Sequence, residues 1–235
     1  MIRRAYLGVA HRAVDVLERT GADDWLARRP SGFVRHVWSL STIYDVERMS
    51  RLDLPWWTYP ASREVEAFLA SIDGRARVFE FGSGASTAWL ARRAGEVHSV
   101  EHDEPFVERL RPMLEPFPHV HLHAVPATER TAASTAVSER AGHEDLDFAA
   151  YVGTIDAVGG EFDLIVVDGR ARAACLERAV PHLAPGGIVV FDNAGRDRYQ
   201  AAIEASGLAV DMRRGWAPSL PYREATALLR ATAAH

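Results

Sequence analysis

The residues best suited to chemistry lie in one run, Arg77-Val-Phe-Glu-Phe-Gly-Ser-Gly-Ala-Ser-Thr87. An apolar segment leads there into Gly82-Ser83-Gly84, and a helix begins at about Ser86. Glycines let the backbone turn sharply and approach a ligand closely. A helix start offers unpaired amide donors at the positive end of its dipole, which suits an anion. Sixteen residues after Gly84 a second apolar segment ends, and Glu101 follows. A carboxylate there can accept both hydroxyls of a ribose. Gly-x-Gly with a downstream acid therefore indicates a nucleoside cofactor. A dinucleotide fingerprint needs a third glycine. Thr87 stands in its place, which argues against a pyrophosphate cradle. Glu80, just before Gly82, favours a cationic ligand group such as an α-amino group or a sulfonium. The candidate cofactor-binding set is Glu80, Gly82, Ser83, Gly84, Ser86, Glu101 and His102.

A second constellation is Asp168 with Asp192-Asn193, each expected at the carboxyl end of a parallel strand. Two carboxylates and an amide oxygen are hard ligands suited to magnesium or calcium. Two readings stand: a divalent ion on Asp168, Asp192 and Asn193, or Asp168 on the cofactor side and Asp192 capping the next helix. Arg170, Arg172, Arg196 and Arg198 follow the same strand ends. They either hold a substrate carboxylate or phosphate or are solvated helix starts. His102 and His143 are candidate general bases, because neutral imidazole titrates near working pH. Asp168 is the other candidate for that role. His119, His121 and His123 alternate, so they share one face of a strand. An exposed face at the sheet edge accounts for them without a metal. Cys175 falls on an apolar helical pattern and reads as core. Trp56, Trp57 and Tyr59 either close over a ligand or pack the N-terminal helices onto the sheet.

Composition narrows the chemistry. All 27 basic residues are arginine, which excludes a lysine base or Schiff base. Asn193 and Gln200 are the only side-chain amides. The net charge of -5 does not suggest a general nucleic-acid binder. A single cysteine allows no intrachain disulfide and fits a reducing, cytoplasmic setting. No apolar run approaches the length of a membrane span. The arginines near the start resemble a signal peptide, but His11, Arg12 and Asp15 break the apolar stretch.

These side chains need a scaffold that gathers strand ends. From Arg77 onward short apolar runs alternate with helical patterns, the signature of a parallel sheet with right-handed crossovers. The expected fold is α/β with a mostly parallel sheet. Residues 1–70 should form a helical extension packed on a core at 71–235. Its first helix, with Ile2, Tyr6, Val9, Ala13 and Val16 on one face, suits core packing or a homodimer contact. Leu54–Pro60 should be a loop. The polar segment 128–145 is too long for a plain connection and reads as a lid. A helix is expected over Leu146–Val158.

Four stretches carry a family resemblance. Val78–Thr87 resembles the first motif of class I S-adenosylmethionine-dependent methyltransferases, and Val100–Asp103 looks like their second. Phe162–Gly169 is similar to their fourth strand, and Leu183–Val190 to the Leu-x-Pro-Gly-Gly stretch before their fifth. The resemblance covers about residues 55–231. It implies a Rossmann-like, seven-stranded sheet with helices on both faces, whose last strand in the chain is antiparallel, with cofactor contacts at Glu80, Gly82, Gly84 and Glu101. The Asp168, Asp192-Asn193 pattern is similar to metal-dependent small-molecule O-methyltransferases of the catechol and macrolide-sugar types, in which such residues hold Mg²⁺. The catechol-type enzymes carry a lysine base after the first aspartate, and here arginines stand there. The expected activity is methyl transfer to an oxygen of a small molecule, with S-adenosylmethionine and Mg²⁺ assistance. Aminopropyl transfer on the same fold, or non-catalytic nucleoside binding, are the alternatives.

Overall fold

The computed structural model describes residues 36, 38–40, 45–138, 140 and 142–232. The expected helix from Ile2 lies outside them. Near the start of the described chain, α1 (Val46–Arg51) is capped by Asp45, whose side chain accepts from the Arg48 amide. Leu54–Thr58 is irregular, as the bounding prolines imply. Helix α2 (Tyr59–Ser71) begins earlier than the sequence suggests, with Pro60 in its first turn. Proline is tolerated there because that amide has no partner to lose.

The core is a sheet of seven strands in the order β3-β2-β1-β6-β7-β9-β8. Its strands are β1 (Arg77–Phe81), β2 (Glu96–Glu101), β3 (Val120–Ala124), β6 (Phe162–Val167), β7 (Leu183–Phe191), β8 (Ala209–Trp216) and β9 (Arg223–Arg230). The first five are parallel, and β9 runs antiparallel to both its neighbours. The central strands are continuous apolar runs because both faces are covered. Alternate residues enter opposite layers. Phe79, Phe81, Ile165, Val167, Val189 and Phe191 share one cluster. Val78, Leu164, Val166, Ile188 and Val190 share the other, with Trp57 and Leu69.

Helices α3 (Ala85–Ala91), α4 (Glu104–Leu114), α5 (Ala149–Val152), α6 (Thr154–Val158), α7 (Arg172–Ala179) and α8 (Gln200–Ala205) complete the layers. Cys175 is fully buried among apolar neighbours on α7. The chain leaves β1 towards β2 and β3, then returns to lay β6 and β7 on its other side. That reversal makes a topological switch point between β1 and β6, where open α/β sheets bind ligands.

Two expectations need correction. No single helix spans Leu146–Val158: Leu146–Asp147 is instead strand β5, paired antiparallel with β4 (Thr128–Glu129), and the helical part breaks at Gly153. The segment 128–145 is thus tied at its base by a two-stranded ribbon, with a further bridge from Val137 to Asp147. The histidines of β3 lie at the sheet edge as expected, but they are not simply solvated. His98 of β2 stacks on His121 and His123, and its two ring nitrogens meet Glu96 and His123.

Candidate active site

Four acids line the carboxyl ends of the parallel strands: Glu80 in β1, Glu101 closing β2, Asp168 after β6 and Asp192 after β7. Each is in a different electrostatic position. Glu80 has no solvent exposure. Its oxygens accept from the hydroxyls of Ser86 (2.5 Å), Thr87 (2.5 Å) and Ser99 (2.6 Å). Ser83 joins Ser99 at 2.6 Å, and the Gly84 amide donates to the Thr87 hydroxyl at 2.8 Å. Glu80 therefore holds the glycine loop in shape through a ring of hydroxyls. Burial pushes its pKa up to about 7, against the opposing pull of those hydrogen bonds.

The loop itself needs glycine. Gly82 has φ of 98°, and a Cβ there would sit 2.5 Å from the Gly169 Cα. A Cβ on Gly169 would collide with the Tyr151 hydroxyl. The backbones after β1 and β6 thus touch at the switch point, where only hydrogen side chains fit. Trp56 lies over Gly84, within 3.3 Å of where a Cβ would stand. Trp57, by contrast, is fully buried and packs edge-on to Trp89. The two neighbouring tryptophans divide the alternatives between them, one at the site and one in the core.

Glu101 is 6% exposed. One oxygen, Oε1, accepts the backbone amides of His102 (2.8 Å) and Asp103 (3.0 Å) and pairs with His102 Nδ1 at 2.5 Å. The other, Oε2, has no hydrogen-bond partner among the described residues. A fixed carboxylate with one open oxygen is suited to a ribose diol. His102 packs against Phe148 and His143. Its bond to Glu101 places it with that carboxylate rather than with Asp168.

Asp168, Asp192 and Asn193 do converge, but on a side chain. Arg172, at the start of α7, donates to Asp168 Oδ1 (2.7 Å), the Asp192 carbonyl (2.5 Å) and Asn193 Oδ1 (3.3 Å). Its Nη1 lies 3.9 Å from Asp192 Oδ2. Asp192 Oδ1 accepts from Thr226 at 2.8 Å. The oxygens expected to ligate Mg²⁺ are thus already organised around a guanidinium, which cannot be deprotonated. As arranged around Arg172, this donor set does not fit a divalent ion. Burial still dominates the acids: Asp192 is pushed up to about 7 by desolvation and then by Asp168, and Asp168 is also raised by desolvation.

Two cavities open beside these strand ends. One, of about 280 Å³, is bounded by Trp56, Asp168, Asp192, Asn193 and the 218–222 loop. The other, of about 420 Å³, lies between α7 and residues of segment 128–145. Arg170, Arg172, Arg196 and Arg198 all reach the larger one, so the sequence reading of an arginine cluster is realised in space. Arg140, which the sequence reading missed, reaches it too. No local motif could have revealed that residue.

Residues 79–194, just under half of the chain, match the family model described as "Methyltransferase domain". The matched stretch is similar to a methyltransferase domain, and the sheet that holds it has the Rossmann-like topology of such domains. Among solved structures, a methyltransferase-like protein from Silicibacter pomeroyi is 19% identical. It aligns over 77% of this chain and 91% of its own, with a TM-score of 0.50. The S-adenosylmethionine-bound amino pentose methyltransferase CalS10 from Micromonospora echinaspora is 17% identical over 80% and 97%, with a TM-score of 0.48. The N-methyltransferase NodS from Bradyrhizobium japonicum is 18% identical over 74% and 97%, with a TM-score of 0.47. No sequence among the curated proteins matches. Among the described residues no helix is long and apolar enough to cross a membrane.

Proposed function

We propose that the protein transfers a methyl group from S-adenosylmethionine to an oxygen of a small-molecule acceptor, without a metal ion. The observation that carries the reading is the row of buried acids at the switch point, beside the cavity at Asp168. Glu101 Oε2 would hold the ribose hydroxyls, with His102 fixing that carboxylate. The loop Gly82-Ser83-Gly84, braced by Glu80 and Ser86, would carry the amino-acid end. The bound cofactor supplies a methyl group on a sulfonium, whose sulfur takes the electron pair of the broken bond.

The chain's own work is to align the acceptor oxygen with that bond and to keep water out. Trp56 forms the lid over Gly84. Asp168 lines the smaller cavity, while Arg172 fixes its Oδ1. A carboxylate with a raised pKa is a competent proton acceptor. Asp168 would accept the proton that the acceptor oxygen loses on methylation. Arg172 offsets part of the cost of charge on the Asp168–Asp192 pair, the charge-balancing part a metal would otherwise take.

Isothermal calorimetry with S-adenosylhomocysteine and with NAD tests the cofactor assignment. Saturable binding of the former and none of the latter is expected. Tighter NAD binding would remove the reading. The metal-free part is tested by adding millimolar Mg²⁺: the thermal midpoint and cofactor affinity should both stay unchanged.

A further inference from the structure

We propose that the larger cavity is an oxyanion site, and that the methyl acceptor is a small molecule carrying a phosphate-like dianion. The inference rests on the methyltransferase reading for the word acceptor, but the site itself rests on geometry alone. Five arginines line the cavity, Arg140, Arg170, Arg172, Arg196 and Arg198, and among the described residues no aspartate or glutamate does. This concentration of positive charge occurs in a chain of net charge -5. Arg172 is balanced by Asp168 and Asp192. Arg140, Arg170 and Arg196 have no ion pair with any described acid.

Arg170 is the informative member. It is half-buried, and its Nε is shielded from solvent without a hydrogen-bond partner. Desolvation, and then the nearby Arg140, lowers its pKa. A guanidinium held beside other cations with an unused donor is costly unless a ligand completes it. Guanidinium forks match the oxygens of phosphate in paired, charge-assisted bonds. Thr135 and Ser138 add hydroxyls from the opposite wall. At least three arginines remain after Arg172 is balanced, which favours a dianion over a single carboxylate.

The position links this site to the chemistry. Asn193 and Arg196 border both cavities. An acceptor with its anion among the arginines can therefore extend past Asn193 towards Asp168. Thr135, Ser138 and Arg140 all come from segment 128–145, so the anion would bridge that segment to α7.

The test uses inorganic phosphate as probe, titrated into the full chain at low ionic strength, with sulfate, succinate and chloride as comparisons. Saturable phosphate binding is expected, with sulfate close behind. Arg196→Glu, at an exposed position that leaves the fold intact, should weaken it at least tenfold, and Arg170→Leu should do the same. Affinity for S-adenosylhomocysteine should change less than twofold in Arg196→Glu. Succinate binding more tightly than phosphate would overturn the phosphate-like assignment. Phosphate binding no better than chloride, or unaltered in both variants, would overturn the site. Phosphate binding without any S-adenosylhomocysteine binding would leave the oxyanion site standing and remove the methyltransferase reading. The reverse result would remove this inference alone.

Discussion

Arg172 decides how the acids at β6 and β7 can be used. Its guanidinium is 9% exposed and joins the Asp168 carboxylate to the Asp192 backbone and the Asn193 amide. Removing one partner of a buried ion pair costs about 3–5 kcal/mol, because the remaining charge is left uncompensated. Arg172→Met should therefore lower stability by that order in chemical denaturation, and Asp168→Asn combined with it should recover part of the loss. A silent Arg172→Met would contradict the arrangement. Glu80 gives a second expectation. Its folded pKa, about 7, lies above the ordinary 4.5, so the folded state keeps a proton that the unfolded chain has lost. Its contribution is thus full below about 4.5 and is lost as pH rises towards about 7. Thermal midpoints of the unliganded protein should fall through that window, and less steeply in Glu80→Gln. At this scale the sequence was informative where interactions are local. The glycine turn at Gly82 and Gly84 and the placing of Glu101 at a strand end are legible from spacing alone. Arg172 was read as a possible anion ligand, because nothing in the chain shows that an arginine will turn towards acids placed four and twenty residues away.

The elements at the crest are pinned unequally, and this separates rigid from responsive parts. Gly82 and Gly169 lock β1 to β6 by backbone contact. Gly169→Ala would drive a methyl group into the Tyr151 hydroxyl, so we expect loss of cofactor binding or of folding, read by calorimetry and circular dichroism. Segment 128–145 is tied by the β4–β5 ribbon, the Val137 bridge, the Phe148 amide on the Ala136 carbonyl, the Ser134 hydroxyl on Asp147 and the packing of His143 on Phe148. It has few buried apolar residues, with Ala136 the main one. Its amides should exchange quickly in the free protein and slow by at least tenfold when cofactor and phosphate are both present. Full protection without ligand would contradict a responsive role. The sequence disclosed this segment by its polarity and length. It did not disclose the ribbon, since two-residue strands such as β4 and β5 leave no periodic signal.

At the carboxyl ends of the sheet, charge is sorted: acids gather at the ends of the parallel strands, and arginines surround the neighbouring cavity. The cationic methyl donor should meet the first group and an anionic acceptor the second. The alternation of strands and crossovers is readable in the sequence because each carries its own period, whereas the seven-stranded sheet follows from the family resemblance. The convergence of Arg140 with Arg170 and Arg196 is not readable there, since it depends on a segment folding back over α7. The central claim is that this crest binds a methyl donor through Glu101. The most direct measurement is calorimetric titration of S-adenosylhomocysteine into the wild type and Glu101→Ala, with NAD as the control. A carboxylate hydrogen bond contributes about 1.5–3 kcal/mol, so the variant should bind roughly ten- to hundredfold more weakly while remaining folded. Equal affinity in the two proteins, or preferential binding of NAD, would contradict it.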